Sequence, residues 1–188
     1  MSRELFVLPI GELPPGAATG LAKRLEAQGF AAKVGRADGE AFRFLIPSNS
    51  SKVNALFAIE ALRREGGDSV LGLCGMPLTD GRREWVYGLG EMNGRVSVFS
   101  IEPFQRGGLS LEEALNQLAP AVLHELAHNF GMVHCRRKGC LMHATHEPAA
   151  MRQLPQGFCE VCRALWMSRL RRGAIPRAPS SRGPRSAP

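Results

Sequence analysis

All five histidines and four of the five cysteines of this 188-residue chain fall between His124 and Cys162. The run opens H-E-L-A-H-N-F-G-M-V-H-C and closes C-E-V-C. This crowding of nitrogen and sulfur ligands constrains the fold more than any other feature, because it asks side chains to converge on cations. His124 and His128 stand at i, i+4, so on a helix both imidazoles can reach one ion. Gly131 can adopt the left-handed conformation that ends a helix, and that turn would bring His134 back as a third ligand. Three histidines leave a fourth position open, which marks a catalytic zinc rather than a structural one. Glu125 projects near the ion without ligating it. Its expected role is to take a proton from water attacking a carbonyl and deliver it to the leaving amine. A lone H-E-x-x-H also occurs among solvent-facing histidines on ordinary helices. Here the longer H-E-x-x-H-x-x-G-x-x-H fixes five positions, on a helix whose other face is apolar, and the zinc reading prevails.

Cys135-x4-Cys140 and Cys159-x2-Cys162 form two pairs, as in a tetrahedral four-cysteine zinc site with no position left open. Such a metal stabilises the fold. Arg136, Arg137 and Lys138 are expected to help hold the thiolates ionised. The fifth cysteine, Cys74, sits in the apolar run Val70–Cys74 and reads as a small buried hydrophobe. His143 and His146 match no ligand spacing and read as surface residues. His134 and Cys135 are consecutive, so the two metal sites are expected to share one backbone turn.

The apolar content of 44% and charged content of 22% suit a globular domain. No run reaches the ~18 apolar residues of a membrane span. The N-terminus has none of the marks of a signal peptide, so a cytoplasmic protein is expected, with thiols free to bind metal. The net charge of +7 comes from the end of the chain: seven arginines and no acidic residue follow Cys162, and the remainder is neutral. That segment reads as a solvated terminus, without the aromatic residues that stack bases, so nucleic acid is not expected as a partner.

Strands are expected at 5–10, 30–34, 42–46, 70–74, 84–89 and 95–101, the last two joined at Asn93-Gly94. Helices are expected at 17–28 and at about 52–65, the second with Val53, Leu56, Phe57, Ile59 and Leu62 largely on one side. This order implies a mixed α/β sheet flanked by helices. Ser110 and Glu113 form a capping box ahead of Leu111, Leu115, Leu118, Val122 and Leu126, one buried stripe. The histidines face away from it, toward a cleft. Pro120 either kinks this helix or starts a new one.

The joint pattern from His124 to Cys162, with a methionine at position 142, resembles the archaemetzincins, a branch of the metzincin zinc metallopeptidases. The resemblance implies a compact metzincin-like α/β domain over residues 1–172. An upper sheet lobe (about 1–131) would carry the active-site helix. A lower lobe (about 132–172) would be stapled by the four-cysteine zinc, and 173–188 would be a disordered basic tail. It also implies His124, His128 and His134 on a catalytic zinc, Glu125 as general base, Met142 in the turn beneath the metal, and Cys135, Cys140, Cys159 and Cys162 on a second zinc. The loop between Met142 and Cys159 is a residue shorter than is usual in the family. The expected activity is zinc-dependent hydrolysis of peptide bonds in a peptide or protein substrate, by a monomer. Two other readings stand beside it: a zinc hydrolase of non-peptide amides, and a zinc-stabilised binding module with little turnover.

Overall fold

Every position of one strand, Ser69–Cys74, is buried, and the rest of the architecture is layered on it. The computed structural model describes residues 3–36, 51–144 and 154–172. In chain order the elements are β1 (Arg3–Ile10), α1 (Ala17–Glu26), β2 (Phe30–Val34), β3 (Val53–Asn54), α2 (Ala55–Leu62), β4 (Ser69–Cys74) and β5 (Leu78–Thr79). They continue with β6 (Gly88–Gly90), β7 (Val96–Ser100), α3 (Glu102–Gln105), α4 (Leu111–Asn129) and α5 (Glu160–Arg172). Five strands form one sheet in the order β2-β1-β4-β7-β6. The first four run parallel, as the continuous apolar run of β4 leads one to expect, and β6 returns antiparallel along the edge.

Alternation along the strands sends side chains into two cores. Leu71, Leu73, Phe99 and Ile101 pack with α1, α4 and α5 on one face. Val70, Cys74, Val96 and Val98 pack with α2 on the other. Helix α4 runs unbroken through Pro120, so the proline is accommodated inside one helix.

Three sequence expectations are corrected. Helix α2 is shorter than 52–65, because Val53 and Asn54 first pair with Leu78 and Thr79. Asn54 then caps it, its Oδ1 accepting from Leu56 N at 3.0 Å. The helix lays Ala55, Ala58 and Ala61 on the sheet and leaves Leu56 and Phe57 exposed, at 53% and 65%. Small side chains allow this close approach: a Cβ on Gly72 would stand 2.7 Å from Leu62 Cδ1. Secondly, the strand expected at 84–89 begins only at Gly88 and runs to Gly90. Thirdly, the arginine-rich end is helical as far as Arg172. Trp166 anchors it, 2% exposed, its ring centroid 5.5 Å from Phe30, 5.3 Å from Phe130 and 5.5 Å from Phe158. Its indole N–H donates to Gln28 O at 3.1 Å. The strand expected at 42–46 and residues 173–188 lie outside the described residues.

Candidate metal centre

Helix α4 begins with the expected capping box: Ser110 accepts from Glu113 N at 3.3 Å, and Glu113 Oε2 accepts from Ser110 N at 2.9 Å. Leu115, Leu118, Val122 and Leu126 are buried against the sheet side. The helix ends at Gly131, whose φ is 75°. Gly131 N donates to His128 O at 2.9 Å and Met132 N to Ala127 O at 2.9 Å, the paired bonds of a glycine-terminated helix. This turn sends the chain back past the helix end and delivers His134.

The three imidazoles converge. His128 Nε2 lies 3.1 Å from His124 Nε2 and 3.2 Å from His134 Nε2. His124 Nδ1 donates to Leu141 O and His128 Nδ1 to Met132 O, both at 2.7 Å. A carbonyl can only accept, so both protons sit on Nδ1 and both Nε2 atoms point lone pairs at each other. Two facing lone pairs repel unless a cation lies between them. Nitrogens ~2.0–2.1 Å from one tetrahedral zinc stand about 3.3–3.4 Å apart, so the triad fits that ion. His124 and His128 are buried and His134 is exposed. Burial pushes the His124 pKa down to about 4, keeping it neutral and able to donate a lone pair.

Glu125 is half-buried beside the triad, and burial raises its carboxyl above the ordinary value, with His128 pulling the other way. The edge strand backs it: a Cβ on Gly90 would stand 3.4 Å from Glu125 Cβ. Asn129, which follows the second histidine, joins helix to sheet. With the amide turned so that both of its atoms find partners, its nitrogen donates to Glu91 O at 3.0 Å and Glu125 O at 3.1 Å, and its oxygen accepts from Ser97 Oγ at 2.9 Å. Asn93 N also donates to His128 O, at 3.1 Å.

The four sulfurs of Cys135, Cys140, Cys159 and Cys162 lie within 4.8 Å of one another. Cys135 Sγ is 4.0 Å from Cys159 Sγ, close to the ~3.8 Å edge of a tetrahedral zinc–thiolate site. Arg137 N donates to Cys135 Sγ at 3.4 Å and Cys159 N to Cys140 Sγ at 3.3 Å. The basic stretch after Cys135 thus contributes a backbone N–H. The backbone N–H of Cys162 lowers the Cys159 thiol to about 7, whereas burial pushes Cys140 and Cys162 up. Four thiolates therefore require a cation at their centre, and the donor set suits zinc. Cys74 is fully buried apart from this group, its thiol pushed up to about 11 by burial.

His143, expected at the surface, is half-buried, and its Nδ1 donates to Cys135 O at 3.1 Å. Met142 is fully buried. His146 lies outside the described residues. Among the described residues, the three histidines and the four cysteines are the groups able to hold a metal. The spacing did not reveal the Leu141 carbonyl, because backbone acceptors leave no mark in a sequence. Asn129 carried a signal in its place directly after H-E-x-x-H.

The profile of Peptidase family M54 matches residues 49–168, more than half of the chain. The chain belongs to that family. The chain is similar to the archaemetzincins of Halobacterium salinarum, 27% identical over 115 residues, and of Methanopyrus kandleri, 31% identical over 110 residues. These alignments cover 57% and 56% of this chain, and 66% and 59% of those relatives. The crystal structure of archaemetzincin from Methanopyrus kandleri shares the fold with a TM-score of 0.72 at 22% identity, over 90% of this chain and 96% of that one. The archaemetzincin of Archaeoglobus fulgidus, complexed with malonate, gives 0.65 at 20% identity, over 86% and 98%. The expected mixed sheet flanked by helices and the archaemetzincin resemblance are both borne out. No described helix is long and apolar enough to cross a membrane.

Proposed function

We propose that this M54 chain is a zinc-dependent peptidase with a hydrolytic zinc on His124, His128 and His134 and a structural zinc on Cys135, Cys140, Cys159 and Cys162. The observation that carries the reading is the convergence of three imidazole nitrogens at 3.1 and 3.2 Å, with Glu125 on the same helix. Zinc held there supplies a Lewis acid that activates water and polarises a carbonyl. Leu141 O and Met132 O hold the rings of His124 and His128 and keep their protons on Nδ1. Glu125, its pKa raised by burial, accepts the proton released as water attacks and returns it to the departing amine.

Strand β6 supports a peptide as the substrate. It is an antiparallel edge, hydrogen-bonded to β7 on one side, with Gly90 against Glu125. An extended peptide added to such an edge is held by main-chain hydrogen bonds, which lays its carbonyls beside the site. The test is metal analysis together with peptide-library profiling of the full chain. Two zincs per chain and cleavage that stops in Glu125→Gln are expected. Turnover of acylated amines without cleavage of any peptide would overturn the peptidase reading.

A further inference from the structure

Two of the three histidines are held by the segment that carries the cysteines. His134 directly precedes Cys135. His124 donates to Leu141 O, and Leu141 directly follows Cys140. The segment is tied back on itself: Cys135 N donates to Met142 O at 2.7 Å and His143 N to Cys140 O at 2.8 Å. It is also tied to the second cysteine pair. Leu141 N donates to Gly157 O at 2.9 Å, and Cys159 N meets Cys140 Sγ. Its outer half lies at the surface, with Val133 and residues 136–139 exposed. His128 differs, because its ring bonds to Met132 O within the helix-ending turn.

We propose that the four-cysteine cluster sets the metal affinity of the three-histidine cluster, through the Cys140–Leu141 peptide and the His134–Cys135 junction. The proposal rests on the reading of both clusters as metal sites. A cation that gathers the sulfurs holds Leu141 O under His124 and aims His134. When the sulfurs separate, His124 loses the bond that fixes its tautomer and His134 loses its direction, while His128 keeps its own. Losing such an outer partner weakens metal binding about 10- to 100-fold. The coupling is reciprocal, so metal in the histidines also tightens the cysteine cluster.

The test is cobalt(II) titration of the histidines in full-length protein, read by visible absorption, with folding followed by circular dichroism. Wild type carrying one zinc in the cysteine cluster is compared with Cys159→Ser, which loses a ligand, and Cys74→Ala, which removes the cysteine outside both clusters. Cys159→Ser should bind cobalt at the histidines about 10- to 100-fold more weakly, and Cys74→Ala as tightly as wild type. If Cys159→Ser does not fold, the cysteine zinc is displaced from wild type by stepwise mercurial addition, and histidine affinity should fall while the dichroism is still native. Unchanged histidine affinity, or a loss seen only as the dichroism collapses, overturns the coupling. Wild-type histidines that bind no cobalt at all would instead overturn the reading of the triad itself, and the coupling with it.

Discussion

The imidazole of His124 donates its Nδ1 proton to the carbonyl oxygen of Leu141, seventeen residues further along the chain, at 2.7 Å. That bond makes Nε2 a lone-pair donor, and it crosses from the helix that carries the histidines to the segment that carries the cysteines. The three-histidine and four-cysteine groups are thus parts of one assembly, as their overlap in the chain suggests.

Glu125→Gln keeps the shape of the side chain and removes its basicity. We predict that peptide hydrolysis falls by about 100- to 10,000-fold while the metal content stays the same. Loss of the histidine-site zinc in this variant would show that Glu125 supports the metal rather than moves the proton.

Asn129 is 4% exposed and satisfies two backbone carbonyls and a serine hydroxyl. Truncating it takes that partner from the fully buried Ser97 hydroxyl, while Glu91 O keeps its bond from Gly94 N. We predict that Asn129→Ala loses about 1–3 kcal/mol in urea unfolding. A loss below about 0.5 kcal/mol, the range of an ordinary surface change, would mean that the link between α4 and the β6–β7 hairpin carries no weight.

His124 has a folded pKa of about 4 against an ordinary value of 6.5, lowered first by burial. A depressed value means that the folded state resists protonation and the unfolded state accepts it. The contribution is therefore complete above pH 6.5 and is lost as pH falls toward 4. For the metal-free protein we predict a stability loss over that window of at most about 3 kcal/mol from this residue. Urea denaturation at several pH values, with His124→Gln as the comparison, measures it; identical slopes for the two proteins would refute the assignment.

Trp166 fills the space between Phe30, Phe130 and Phe158. Trp166→Ala should cost about 3–5 kcal/mol and release α5 from the body of the protein. Calorimetry and protease sensitivity after residue 158 provide the measurement. A variant as stable as wild type would indicate that the cysteines alone hold the last helix.

The sequence was most legible where one residue type admits one use. The i, i+4 histidines, Gly131 at φ 75° and the Ser110–Glu113 box each stand where spacing places them. The buried run of β4 and the Asn93-Gly94 turn are also as expected, Asn93 having a φ of 54°. Legibility failed where tertiary contact decides. Leu56 and Phe57 are exposed because the alanines of α2 fit closer to the sheet. Helix α5 escaped notice because its arginines mask a sparse apolar face, and Trp166 and Leu170 are buried by partners far away in the chain, such as Gln28. His143 was misplaced for a similar reason: its partner is a main-chain carbonyl, which no side-chain pattern reports.

The bond from Trp166 to Gln28 spans 138 residues. A ribosome delivers the N-terminal end first, so β1, α1 and β2 emerge long before their last packing partner is made. Until then the Phe30 ring has no indole to lie against. Helix α5 thus closes what the early strands began: a chain cut short after the second pair of cysteines has both sets of ligands and still lacks the indole that packs on Phe30.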